Sequence, residues 1–170
     1  MSSWDDVKRE VVEWIKQNIP IGSTCLDVGP CDGKWFNLLG NHLTMDAVEI
    51  YEPYINVYEL YLRYRKVYCG DVYNFKYNAY DLVLLCDVIE HMPVEKAQQV
   101  IEYASHHCKK MIVAVPFLFK QGVMRGNKWE EHIQDDLTPQ LFNERYPGFK
   151  TIFTIEGKYA YYVKDGEANA

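Results

Sequence analysis

Apolar positions along the chain keep two rhythms, one of period near 3.6 and one of short continuous runs. The first helical stretch spans about Trp4 to Asn18, with Val7, Val11, Trp14 and Ile15 on one face, Ser3 as its cap, and Pro20 and Gly22 ending it. A short apolar strand, Cys25 to Val28, comes next, then a helical stretch Lys34–Leu39 and, within the apolar run Met45 to Ile50, a second strand that ends at Glu49. Pro53 to Tyr64 reads as one helix, with Tyr54, Tyr58 and Tyr61 sharing a face that packs on a sheet. Lys66–Cys69 is a short third strand. Tyr80–Cys86 is apolar after Asp81, as a strand buried on both faces should be. A helix from Pro93 to about Cys108 precedes a fifth strand, Met111–Val115, with His106 and His107 complementing the helix dipole in the last turn.

From Pro116 to Asp136 the periodicity fades, and a stretch that long without an element is often functional. Thr138 and Pro139 start a helix to about Tyr146, Thr151–Ile155 and Tyr159–Val163 form a hairpin across Glu156–Lys158, and the tail from Asp165 is loose. Five strands alternating with helices, closed by a hairpin, predict one open α/β sheet, mostly parallel, in a single domain spanning residues 1–170, with its ligand crevice at the strand C-termini.

Composition narrows the class. At 48% hydrophobic and 25% charged residues the chain is globular, and a net charge of −6 argues against a nucleic-acid surface or an anionic membrane. The charged stretch Trp4–Glu10 stands where a secretory leader would be apolar, no run approaches a membrane span, and the five cysteines are scattered without zinc spacing. These features point to a cytoplasmic protein with reduced, buried cysteines.

The chemistry concentrates at Thr24-Cys-Leu-Asp-Val-Gly-Pro-Cys-Asp-Gly33, a strand, glycine turn and helix start. Glycine lets the backbone approach a ligand closely, and a helix N-terminus offers free N–H groups. About twenty residues on, Glu49 stands near the tip of the second strand, where a carboxylate can accept both ribose hydroxyls of a nucleotide.

These residues give the chain a resemblance to the class I S-adenosylmethionine-dependent methyltransferases over nearly its full length. Leu26–Gly33 is similar to the family's first motif, Val48–Ile50 to its ribose-binding strand end, Gly70–Phe75 to its adenine loop, and Tyr80–Met92 to its fourth strand with the Glu-His pair beyond. The departure is Cys31 at the middle glycine, which requires negative φ or tolerated strain. The resemblance implies S-adenosylmethionine as cofactor. Asp27 and the Gly29 backbone would hold its methionine end, with Gly33 completing the turn. Glu49 and Ile50 would hold the ribose, Asp71 and the Val72 N–H the adenine, and Cys86 and Asp87 would line the sulfonium site.

Methyl transfer is an in-line displacement that asks mainly for alignment, although a hydroxyl acceptor must also lose its proton. His132, inside Trp129–His132, and His91 are the candidate bases, and Gly122–Asp136 the candidate lid. Asp87-x-x-Glu90-His91 also resembles the acid-x-x-Glu-His pattern of metal-dependent ubiquinone-pathway and small-RNA methyltransferases, with His132 a further possible ligand. Those members carry glutamate where Asp87 stands, and no metal is expected here. The reading is therefore an enzyme methylating an O or N atom of a small molecule. The alternatives are a metal-assisted RNA 2′-O-methyltransferase and a non-catalytic cofactor-binding partner subunit.

Overall fold

Side chains on successive residues of the central strands bury on opposite faces, and this alternation builds the molecule. In the computed structural model, which describes residues 8–168, Val83 and Leu85 enter one apolar cluster while Leu82 and Leu84 enter the other. Met111, Val113 and Val115 likewise oppose Ile112 and Ala114. Every strand of this kind needs cover on both sides, and helices supply it.

The elements run α1 (Lys8–Asn18), β1 (Thr24–Val28), α2 (Lys34–Leu39), β2 (Thr44–Glu49), α3 (Glu52–Val57), β3 (Lys66–Cys69), β4 (Tyr80–Cys86), α4 (Val94–Ser105), β5 (Cys108–Pro116), α5 (Pro139–Arg145), β6 (Lys150–Ile155) and β7 (Tyr159–Asp165). They form one seven-stranded sheet in the order β3-β2-β1-β4-β5-β7-β6. The five N-terminal strands pair in parallel, and β7 inserts antiparallel between β5 and β6. The expected mostly parallel sheet with a closing hairpin is what the chain forms. Thr138 caps α5 as expected, its Oγ1 accepting from the Leu141 N–H at 3.1 Å, and Phe142 stacks on Tyr162 of β7 with ring centroids 3.8 Å apart.

Five expectations need correcting or bounding. The helix at Pro53–Tyr64 is broken: α3 stops at Val57, Glu59 takes φ 49°, and a single 3-10 turn covers Leu60–Leu62. The break turns Leu60 and Tyr64 into the core and leaves Tyr61 exposed, so the three tyrosines do not share one buried face. The fourth helix ends at Ser105 and the strand after it begins at Cys108, because the Tyr80 N–H takes the His107 carbonyl at 2.9 Å and opens the β4–β5 ladder there. The tail is tied rather than loose as far as Ala168, since the N–H groups of Gly166, Glu167 and Ala168 bond Lys109, Ser105 and Cys108 carbonyls. Cys69 is exposed, whereas Cys25, Cys86 and Cys108 are buried, and all five cysteines are free thiols. Ser3, Trp4 and Val7 of the first helical stretch lie outside the described residues.

Among the described residues no helix is long and apolar enough to cross a membrane.

Candidate active site

The parallel strands all end at one edge of the sheet, and a cavity of about 990 Å³ opens there. That size suits a ligand of several hundred daltons. Its walls come from the turn after β1, the ends of β2 and β4, the loop after β3, the start of α4 and the irregular connection after β5.

One half of the cavity gathers most of the residues expected to hold a cofactor. Gly29, Glu49, Ile50, Asp71, Val72, Cys86 and Asp87 all line it. Gly29 holds φ 63°, and a Cβ there would sit 3.4 Å from Val88, so the turn is already packed from below. Cys31 adopts φ 49°: the chain tolerates the strain of a left-handed cysteine where glycine would be at ease. Its N–H donates to Glu49 Oε2 at 3.3 Å, while the Tyr51 N–H donates to Oε1 at 2.9 Å. Two backbone donors thus fix a nearly fully buried carboxylate, and each oxygen keeps a lone pair for a ligand hydroxyl. Burial raises the Glu49 pKa and those two bonds partly offset the rise. Asp71 caps the short turn after β3, accepting from the Tyr73 N–H at 2.9 Å, and pairs with Lys96 Nζ of α4 at 2.6 Å. Asp87, at φ 58°, accepts from the Tyr159 hydroxyl at 2.6 Å.

Two expected cofactor residues stand elsewhere. Asp27 is buried behind the cavity wall, where its Oδ2 accepts from the Tyr64 hydroxyl at 2.5 Å. Burial pushes its pKa up to about 7 against the lowering effect of that bond. Gly33 is also off the wall: at φ 75° it begins α2, and a Cβ would meet the Arg63 guanidinium at 2.8 Å. Both residues shape the turn rather than touch the cavity.

The other half of the cavity belongs to the connection between Pro116 and Asp136. Phe117, Phe119, Trp129, His132 and Ile133 line it, facing His91 and Met92. The connection forms this wall and is fastened at several points. Arg125 Nη1 donates to the Tyr58 hydroxyl at 2.9 Å, Asn127 is buried and hydrogen-bonded to Tyr54, and Gln121 Nε2 donates to the Glu130 carbonyl at 2.7 Å. At its far end, Gln134 Nε2 donates to the Ile89 and Met92 carbonyls at 2.8 and 2.9 Å.

His91 and His132 pack edge to face with ring centroids 4.7 Å apart. His91 Nδ1 bonds the Glu131 carbonyl at 3.1 Å, and His132 Nδ1 bonds the Phe119 carbonyl at 2.8 Å. Burial and the neighbouring His132 hold the His91 pKa down to about 4, so this ring is neutral at physiological pH. Glu90 is buried beneath them, and neither carboxylate oxygen has a hydrogen-bond partner. Burial and the charge of Asp87 raise its pKa well above the usual carboxylate range. Ligand atoms of Glu90, His91 and His132 all lie within 4.8 Å of one another. Asp87, a fourth candidate in the sequence, is not in that cluster, being held by Tyr159.

Sequence reasoning missed Tyr54, Lys96 and Tyr159 at this site. Lys96 carries no signal in its neighbourhood, since a lysine in the first turn of an amphipathic helix ordinarily faces water. Tyr159 was detectable as part of the hairpin but not as a partner of Asp87, which lies 72 residues away.

The sheet order with its antiparallel β7 and the crevice at the parallel strand ends define the class I S-adenosylmethionine-dependent methyltransferase fold. Residues 9–127 match the family model of methionine biosynthesis protein MetW, and the chain belongs to that family. No curated protein matches the chain. Among solved structures, an S-adenosylmethionine-dependent methyltransferase from Clostridium acetobutylicum ATCC 824 superposes with a TM-score of 0.73 at 12% identity, over 97% of this chain and 93% of that one. The magnesium protoporphyrin IX methyltransferase of Synechocystis PCC 6803, with bound SAH, gives 0.60 at 19% identity, over 92% and 81%. A small RNA methyltransferase gives 0.68 at 18% identity, over 100% of this chain and 27% of that one. At such identities the likeness establishes the fold and leaves the chemistry to be argued from the site.

Proposed function

We propose that the chain binds S-adenosylmethionine in the half of the cavity around Glu49 and transfers its methyl group to an oxygen or nitrogen of a small molecule held in the other half. The observation that carries this is Glu49. A buried carboxylate at the tip of β2, aimed by two backbone N–H groups and still offering lone pairs to the cavity, suits a ribose diol. Beside it, Asp71 and the Val72 N–H offer the acceptor and donor that an adenine edge needs, and Gly29 leaves room for close backbone approach. When bound, the cofactor supplies an already activated methyl.

The chain's own part is alignment and exclusion of water. Phe117, Phe119 and Trp129 make an apolar acceptor wall, held in place where the connection is fastened by Arg125 to Tyr58. Alignment of this kind supplies much of the rate in an in-line displacement. His132 would take the proton of a hydroxyl acceptor: a carbonyl can only accept, so its bond to Phe119 requires Nδ1 to carry the proton and leaves the Nε2 lone pair free. His91 has the same tautomer, and its depressed pKa makes it a weak base. The family description supplies the setting we assign, methionine biosynthesis. With a net charge of −6, an RNA acceptor is the less favoured substrate.

Isothermal titration with S-adenosylmethionine, followed by an assay for S-adenosylhomocysteine across pooled metabolites, tests the reading. Binding with turnover supports it. Binding without turnover on any pool leaves the chain a cofactor-binding partner subunit, and no binding overturns the reading altogether.

A further inference from the structure

We infer that Glu130, carried by the connection after β5, binds the α-ammonium group at the amino-acid end of the cofactor, so that the wall facing the acceptor is fastened to the cofactor itself. This contact rests on the S-adenosylmethionine reading and adds a residue to it from outside the glycine turn.

The sheet order sets the direction. The adenine is assigned to the loop after β3 and the ribose to the tip of β2. With β1 and β4 next in the sheet, the rest of the cofactor runs across the turn at Gly29–Cys31 toward Cys86. Its far end carries an amine that is cationic at neutral pH, and a cation leaving water needs an anionic or carbonyl partner. Asp27, the acid that the resemblance offers for this end, is taken. It is 1% exposed behind the turn, and its carboxyl accepts from Tyr64.

Glu130 stands where Asp27 does not. It lines the cavity together with Cys31, and the two also line a smaller adjoining hollow of about 270 Å³ with Tyr54 and Arg125. Of the carboxylates whose charge bears on the Cys31 thiol, Glu130 acts most strongly, ahead of Asp32 and Glu49. Its charge bears on Glu49 and on the Tyr54 hydroxyl as well. No lysine or arginine among the described residues forms an ion pair with it. The other acids near this turn are placed less well. Asp87 receives the Tyr159 hydroxyl, and Asp32 is exposed.

The local chain holds the carboxylate in position. Asn127, 2% exposed, caps the short turn Lys128–Glu130, its Oδ1 accepting from the Trp129 N–H at 3.0 Å. Gln121, also buried, donates from Nε2 to the Glu130 carbonyl at 2.7 Å. The same nitrogen lies 3.5 Å from Glu130 Oε2, at the outer limit of a hydrogen bond, so the carboxylate keeps acceptor capacity for a ligand. Two buried amides are thus committed to one three-residue turn, and that turn presents Glu130 to the cavity.

Selectivity follows from this placement. A nucleoside without the amino-acid end, such as 5′-methylthioadenosine, can still meet Glu49 and Asp71 but offers Glu130 nothing. Phe119 and Trp129 of the acceptor wall lie on the same connection as Glu130. An intact cofactor therefore firms the acceptor wall, and a fragment of it does not.

The test titrates the full chain by calorimetry with four ligands: S-adenosylmethionine, S-adenosylhomocysteine, 5′-methylthioadenosine, and an S-adenosylhomocysteine analogue with a hydroxyl in place of the amine. We expect Glu130→Gln to lower affinity for the first two by about tenfold or more, the scale of a lost hydrogen bond between charged groups, and to leave the two amine-free ligands unchanged. Glu130→Asp, which keeps the charge, should recover part of the loss. In the parent, tryptic cleavage at Lys120, Arg125 and Lys128 should slow with S-adenosylhomocysteine and not with 5′-methylthioadenosine. No loss in Glu130→Gln, or an equal loss for all four ligands, overturns the contact. Cleavage slowed alike by both nucleosides overturns the fastening. Those failures leave the cofactor reading standing, whereas a parent that binds none of the four overturns that reading and this contact with it.

Discussion

Tyr64 donates its hydroxyl to Asp27 across 37 residues of sequence, and the pair lies sealed behind the turn that carries Gly29 and Cys31. Burial holds the Asp27 pKa at about 7, far above that of an unfolded aspartate near 3.9. Between those values the folded chain keeps a proton that the unfolded chain releases. The contribution of Asp27 to stability is therefore complete below about pH 4 and is lost as pH rises through about 7. Asp27→Asn keeps an acceptor for Tyr64 and removes the titration. Denaturant unfolding from pH 4 to 8 should show a flatter profile for the variant, with its largest advantage over the parent at the alkaline end. Parallel profiles would mean that Asp27 does not titrate in this range.

Glu49→Ala should weaken S-adenosylmethionine binding by about 1–3 kcal/mol, the cost of losing hydrogen bonds to a charged group. Glu49→Gln should lose less, since one oxygen still accepts. Calorimetry gives both numbers, and an unchanged dissociation constant in the alanine variant removes the ribose assignment.

Asp71 has three tasks if the adenine assignment holds, because it already caps the Tyr73 N–H and pairs with Lys96. Asp71→Asn preserves an acceptor, so it should bind the cofactor more tightly than Asp71→Ala. The finer discriminator is an inosine-type analogue that lacks the amino group. Equal affinity of the parent for the analogue and the natural cofactor would leave Asp71 a structural cap.

His132→Ala should leave cofactor affinity nearly intact and lower turnover by about 100-fold or more, the lower range for losing general acid–base help. A collapse of cofactor affinity would instead show that the connection after β5 shapes the ribose side. Unchanged turnover on the true acceptor would remove the histidine from the chemistry.

Much of the frame was legible because burial on both faces writes itself plainly. Tyr80–Cys86 could hardly be anything but a central strand, and Lys66–Cys69 was bounded correctly by its flanking charge and glycine. The break at Glu59 was not legible: no glycine or proline marks it, and the tertiary need to bury Leu60 and Tyr64 overrode a continuous tyrosine periodicity. At the site, Glu49 and Asp71 could be placed from their positions after apolar runs. Asp27 could not, because a motif position does not say whether a carboxylate faces the cavity or a tyrosine behind it. The grouping of Glu90 and His91 with His132 came from the resemblance to metal-dependent methyltransferases, and no spacing in the chain carries it. What the sequence lacks is the long-range packing that buries Glu90.

The position of β7 carries a consequence for how the chain is made. It is the last strand among the described residues, yet it sits between β5 and β6 and is the only sheet neighbour that β6 has among them. During synthesis β6 emerges first and must wait, unpaired, while the exposed flank of β5 waits beside it. Non-local pairing of this kind closes late, and strand edges left open meanwhile invite association with other chains. A nascent chain of this protein is therefore committed to its native sheet only when β7, Tyr159–Asp165, has cleared the ribosome, and a pause before Tyr159 is the interval in which it most needs protection.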